Sequence, residues 1–287
     1  MRIDAHQHFW DPTRYSYPWM DGDAMDPVRR AFTPDDLRAA LSDGDRTILV
    51  QTLSSLAETQ EFLSLDADFV AGVVGWVDLT SRAVGDDLDE LIDGPGRLVG
   101  IRHQVHDEAD PEWLQRDDVR RGLAAVQDRG LTYDLLVRAR EIPAAVDTVR
   151  AFPELQFVLD HIAKPRIADG SDPLWTERLP ALAAAPNLAV KLSGMVTEAD
   201  WAKWTAEDLR PFVEQVVEWF GTNRLLFGSD WPVCLLAASY DDVRTALDTA
   251  LPTMSPTEKN LLYGGTAERV YHLMPRQSPS GSPHVPG

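Results

Sequence analysis

"MRIDAHQH" (residues 1–8) is a short strand-like run that ends in two histidines one residue apart. Side chains alternate across a strand, so His6 and His8 share one face and Gln7 takes the other. Two adjacent inward imidazoles cost desolvation energy unless they share a cation or a carboxylate, so the pair predicts a site at the end of strand one. Seven more β-rich runs follow: "RTILVQTL" (46–53), "FVAGVVGWVDL" (69–79), "RLVGIRHQV" (97–105), "LTYDLLV" (131–137), "LQFVLDHI" (155–162), "NLAVKLSG" (187–194) and "RLLFGSDWPV" (224–233). Amphipathic stretches of helical period separate them, among them "PDDLRAAL" (34–41), "SSLAETQEFLSLD" (54–66), "DDVRRGLAAVQDRG" (117–130), "IPAAVDTVRAFP" (142–153) and "PFVEQVVEWFG" (211–221). Nearly continuous apolar strands alternating with helices predict a parallel sheet covered on both faces. Eight βα units in roughly 270 residues suit an α/β (β/α)8 TIM barrel better than an open sheet. A doubly wound sheet would carry a Gly-rich turn after its first strand, where this chain has "HQHFWDP" (6–12).

The 287 residues divide into one expected domain, 1–275, and a Pro-, Ser- and Gly-rich segment, "RQSPSGSPHVPG" (276–287), expected to be a disordered tail. A net charge of −19 argues against nucleic acid and anionic membrane surfaces as partners. No apolar run approaches the ~20 residues of a membrane span. The single cysteine, Cys234, permits no internal disulfide, and no basic and apolar leader precedes the first strand, so a cytoplasmic location is expected. A homo-oligomer is compatible with this composition. The aromatic, Pro-rich segment 11–34 is expected to cover the barrel mouth.

Barrel active sites lie at the C-terminal ends of the strands. Strand six ends in "LDHIAKP" (159–165) and strand eight in "FGSDWP" (227–232). Alternation groups His161 with Phe157 and Leu159, and Asp230 with Gly228, which gives an inward set of His6, His8, His161 and Asp230. Arg102 on strand four, Tyr133 on strand five, and Lys191 and Ser193 on strand seven end near the same mouth. A lone histidine is more often a core residue, Asp230 would also serve as a helix N-cap, and Arg102 and Lys191 are equally compatible with structural ion pairs. The His-x-His pair facing Asp230 weighs towards chemistry. Trp10, Trp19 and Trp231 are candidate pocket walls, and His103 and His106 are expected at the surface or behind the site.

"DAHQHFW" (4–10), "LDHIAKP" and "FGSDWPV" (227–233), in this order on these strands, resemble the lactonase branch of the amidohydrolase superfamily, and within it the sugar lactonases. The resemblance covers nearly all of the chain. It implies a barrel of metal-dependent-hydrolase type that opens the ester of a small lactone, with site roles for His6, His8, His161 and Asp230; with Arg102 as the chemically suited oxyanion partner, Asp230, His161 and Arg102 are the expected catalytic residues. From their positions at the mouth, Trp10, Trp19, Tyr133, Lys191 and Trp231 are the expected substrate contacts, and His6, His8 and Asp230 the expected ligands of any metal. Many superfamily hydrolases bind two metals through a strand-four Lys or Glu and a strand-five His. This chain has Arg102/His103 and Tyr133/Asp134 there, so the expected cofactor is none or one divalent metal, Zn²⁺ being the candidate. With few inward cations apparent, the expected substrate is a neutral L-fucono- or L-rhamnono-type lactone of sugar catabolism rather than the dianionic 2-pyrone-4,6-dicarboxylate. A metal-dependent decarboxylase, a deoxyribonuclease and a noncatalytic binding barrel are the rival readings.

Overall fold

The computed structural model describes residues 2–273; the expected tail, 276–287, lies outside them. Eight parallel strands, β1 (Ile3–Gln7), β2 (Arg46–Val50), β3 (Val70–Gly75), β4 (Leu98–His103), β5 (Thr132–Leu135), β6 (Phe157–Leu159), β7 (Leu188–Leu192) and β8 (Leu225–Phe227), pair in sequence order. Each is followed by a helix: α1 (Pro34–Arg38), α2 (Leu56–Leu63), α3 (Val84–Asp93), α4 (Asp117–Asp128), α5 (Ile142–Ala151), α6 (Pro173–Ala183), α7 (Ala206–Phe220) and α8 (Tyr240–Ala250). Two short helices, α9 (Pro256–Asn260) and α10 (Thr266–Val270), follow. This is the expected (β/α)8 barrel. It closes between β8 and β1 through Asp230 N donating to His6 O (2.8 Å) and His8 N donating to Trp231 O (2.7 Å). The two motifs that carry the expected chemistry therefore also form the seam.

The helices follow from local sequence. Val119, Gly122, Leu123 and Val126 place one buried stripe along α4 at the spacing a helix requires. Reciprocal caps start α8, where Ser239 Oγ accepts from Asp242 N and Asp242 accepts from Ser239 N (both 3.2 Å), and α9, where Ser255 and Glu258 do the same. Helix α7 begins at Ala206 rather than at the expected Pro211 because Thr205 and Asp208 form such a box one turn upstream.

Two apolar layers sandwich the sheet. Ile3, Ala5, Ile48, Val50, Val158, Ala189 and Leu226 fill the barrel interior, plugged at the N-terminal end by Val270, Tyr271 and Leu273 from and after α10. Leu49, Tyr133, Phe157, Leu159, Val190 and Phe227 belong to the larger core shared with the helices. Phe157, Leu159 and Tyr133 thus face outwards, against the expected grouping. In β1 the pairing register shifts between Asp4 and Gln7. This irregularity lets Ala5 join the interior while His6, instead of Gln7, turns towards the mouth.

Candidate active site

Every strand is shorter than the run that predicted it: His8, His161, Ser193 and Asp230 sit past the strand ends, whereas His6, Arg102, Asp134 and Lys191 lie within them. His8 lies just past β1, its ring oriented by Nδ1 donating to Val50 O (2.7 Å). His161 reaches the interior through a left-handed turn in which His161, Ile162, Ala163 and Lys164 have φ of 52°, 49°, 62° and 49°. Such backbone costs about 1–2 kcal/mol per non-glycine residue and persists only where its surroundings enforce it. Here Lys164 N donates to His161 O (2.7 Å), Trp175 Nε1 donates to Ile162 O (2.6 Å), and His161 Nδ1 pairs with Ser193 Oγ (2.9 Å). Asp230, also left-handed at φ 58°, is held by its bond to β1.

Two glycines make room for this packing. A Cβ on Gly228 would lie 2.7 Å from His6 Cβ. One on Gly194, itself at φ 62°, would lie 2.5 Å from His161 Nδ1. Gly194→Ala is therefore expected to displace the His161 ring and lower kcat/KM about 10²-fold, the usual cost of a misplacement near 1 Å. Steady-state kinetics check this, and a rate equal to wild type would show that the position of His161 does not matter.

Around Asp230 Oδ1 the ring nitrogens converge: His8 Nε2 at 3.4 Å, His6 Nε2 at 3.7 Å and His161 Nε2 at 4.0 Å, with the first two 3.1 Å from each other. Burial holds the His6 and His161 imidazoles well below the usual histidine range, so both are neutral near pH 7. Burial pushes the Asp230 carboxyl up, but His161, His8 and Lys164 outweigh it and hold it below the usual range. The bond from His8 Nδ1 to Val50 O turns its Nε2 towards Asp230 Oδ1. His6 Nδ1 lies 3.3 Å from Asp160 Oδ1 and 3.1 Å from Lys191 Nζ, while its Nε2 faces His8 and Asp230. Converging imidazole nitrogens and an ionised carboxylate are the residue types of a cation's donor set. His6, His161 and Asp230 offer atoms all within 4.8 Å of one another, wider than the about 3.3 Å between ligands of a tetrahedral Zn²⁺ but close enough to converge on one ion. The residues fit one divalent ion.

Beneath the cluster lies a charged layer. Lys191 Nζ sits 2.6 Å from Asp134 Oδ2, 2.8 Å from Asp160 Oδ1 and 3.1 Å from His6 Nδ1, and all four residues are fully buried. Arg102 Nη1 bonds Asp160 Oδ2 (3.0 Å) and approaches His6 Nε2 (3.2 Å), while Nη2 bonds the backbone and side chain of Gln51. Tyr271 OH donates to Asp134. Burial raises both carboxyls, but Lys191, His6 and Arg102 keep Asp160 ionised, whereas Asp134, beside Asp160, is pushed up to about 6. Arg102 and Lys191 thus flank His6 with two cations beneath the cluster.

A cavity of about 390 Å³ opens above this floor, lined by His8, Arg102, His161 and Asp230 below and by the loops after the strands above. The amidohydrolase family model matches residues 3–273. The chain belongs to the amidohydrolase family. A protein of Burkholderia multivorans named L-fucono-1,5-lactonase is 39% identical over 288 residues, covering 95% of this chain and 96% of that one. A second L-fucono-1,5-lactonase, from Burkholderia ambifaria, is 37% identical over 99% of both chains. The crystal structure of a Burkholderia multivorans amidohydrolase with bound zinc superposes with a TM-score of 0.88 at 39% identity, covering 96% of this chain and 100% of that one.

In this amidohydrolase, His6, His8, His161, Asp230 and Arg102 come together as expected, but His161 does so through the turn and not by strand alternation. Of the expected substrate contacts only Trp19 is among the cavity-lining residues. Tyr133 faces the helices, Lys191 lies below His6, and Trp10 and Trp231 pack with Phe32 behind the loop that Trp19 and Met25 bring to the cavity. His103 stacks on Trp113 at 4.2 Å, behind the site. His106, in contrast, lines the cavity. Inward cations are also more numerous than expected. Arg102, Arg138 and Lys164 all line it, each beside a carboxylate: Asp160 for Arg102 and Glu198 for the other two. Sequence reasoning missed Asp160, next to His161, and Gln51. A three-residue β6 with Val158 inward makes Asp160 inward too, and that parity was the available signal.

Proposed function

We propose that this protein hydrolyses a six-membered sugar lactone of the L-fucono-1,5-lactone type to the open aldonic acid. The observation that carries the reading is Asp230, an ionised carboxylate among three histidines on the floor of a cavity of about 390 Å³, which has room for a small ring. The near full-length likeness to two L-fucono-1,5-lactonases supports it and chooses the substrate.

A lactone carbonyl seated above the floor is attacked by water whose proton passes to Asp230. The developing oxyanion is met by the Arg102 guanidinium, which Asp160 and Gln51 fix from two sides, so little reorganisation is needed at the moment of charge development. His161, braced by Ser193, keeps its Nε2 towards the reacting water and Asp230. Collapse of the tetrahedral adduct breaks the acyl–oxygen bond of the ring, and Asp230 returns its proton to the departing ring oxygen. Zn²⁺ held by His6, His8, His161 and Asp230 would supply Lewis acidity to the water and the carbonyl beside them. Among the described residues no helix is long and apolar enough to cross a membrane; a cytoplasmic location belongs to this proposal.

A panel of L- and D-aldonolactones followed by pH indicator, with chelated and Zn²⁺-supplied protein, tests it. L-Fucono-1,5-lactone is expected to be among the fastest substrates. Absence of turnover across the panel, with carbon dioxide released from a hydroxybenzoate, would transfer the site to the decarboxylase reading.

A further inference from the structure

The cavity has two unlike walls. Trp19 and Met25 come from the loop after β1, and Val233 and Leu236 from the loop after β8, which adjoins β1 at the seam. Arg138, Lys164 and Glu198 come from the loops after β5, β6 and β7, round the far side of the barrel. Glu198 is the centre of that polar wall: Oε1 lies 2.5 Å from Lys164 Nζ and Oε2 lies 3.5 Å from Arg138 Nη1. Its side chain is 14% exposed, so it is held in place yet open to the cavity. Also lining the cavity, from the loop after β4, His106 presents a buried Nδ1 that has no hydrogen-bond partner among the described residues. Neither Glu198 nor Arg138 takes part in the water attack.

We infer that Glu198, clamped by Lys164 and Arg138, reads a pair of adjacent hydroxyls on the lactone ring; this rests on the lactonase reading above. Each hydroxyl both donates and accepts. A carboxylate takes the two hydroxyl hydrogens, and the flanking ammonium and guanidinium donate to the two oxygens, which matches a vicinal diol at every atom. Cations alone would suit a carboxylate-bearing ring, but Glu198 faces any such ligand with its own charge. The opposite wall of Trp19, Met25, Val233 and Leu236 suits the C–H face and methyl group of a deoxy sugar.

The test compares kcat/KM for L-fucono-1,5-lactone with that for δ-valerolactone, which lacks hydroxyls, in wild type, Glu198→Gln and Arg138→Met. The ratio is expected to fall about 10–100-fold in each variant, the range for a lost hydrogen bond to a charged group, carried mainly by KM for the sugar lactone. Equal losses on both lactones, or an unchanged ratio, overturn the inference and leave the lactonase reading standing. A wild-type protein that hydrolyses no lactone overturns both. Thermal melting of each variant guards against reading a folding defect as a specificity change.

Discussion

Replacing Asp230 with Asn lowers kcat for sugar-lactone hydrolysis about 10³-fold, the middle of the range for removing a general base. Asparagine keeps the shape of the side chain but cannot take up the proton. The fold is expected to survive, because Asp230 contributes to the seam through its backbone: its N–H bonds His6 O (2.8 Å) and its carbonyl accepts from Cys234 N (2.9 Å). A melting temperature within a few degrees of wild type should therefore accompany the kinetic loss. Near-normal turnover by this variant would remove Asp230 from the mechanism, and with it the role of the histidines that hold it ionised.

The second large effect is expected from Lys191→Met, and it is one of stability. Lys191 is fully buried and neutralises Asp134 and Asp160 from 2.6 and 2.8 Å. Breaking a buried pair by removing one partner costs about 3–5 kcal/mol, because the other charge is left in the interior. For a chain of this size each kcal/mol shifts the melting temperature by about 2–4 °C, so a fall of roughly 10 °C is expected by calorimetry. Adding Asp134→Asn removes the carboxyl already pushed up to about 6 and should recover part of the loss. A single variant that melts with wild type would show that the charged layer is not held by Lys191.

The fold was legible because its signal is distributed: eight apolar runs and the amphipathic stretches between them each carry part of it. The site was legible where residue type and position agreed, at His6, His8 and Asp230. It was less so at strand six, where alternation grouped His161 with Phe157 and Leu159. The turn through Lys164 breaks that alternation, and Trp175, Ser193 and Gly194, which hold the turn, are distant in sequence. Tyr133 and Asp134 differ only by strand parity, and the parity of a four-residue strand is set by its neighbours Gly100 to His103 and Phe157 to Leu159. Arg138 and Glu198 lie on loops without periodicity, so only closure of the barrel brings them to one wall.

Hydrolysis of L-fucono-1,5-lactone in ¹⁸O-labelled water, with the product analysed by mass spectrometry, tests the central claim most directly. Water attack at the carbonyl, with Asp230 as base, predicts enzyme-dependent product carrying one label in its carboxylate and none at the former ring oxygen. Label at the ring-oxygen carbon, or no enzyme-dependent product at all, would contradict it.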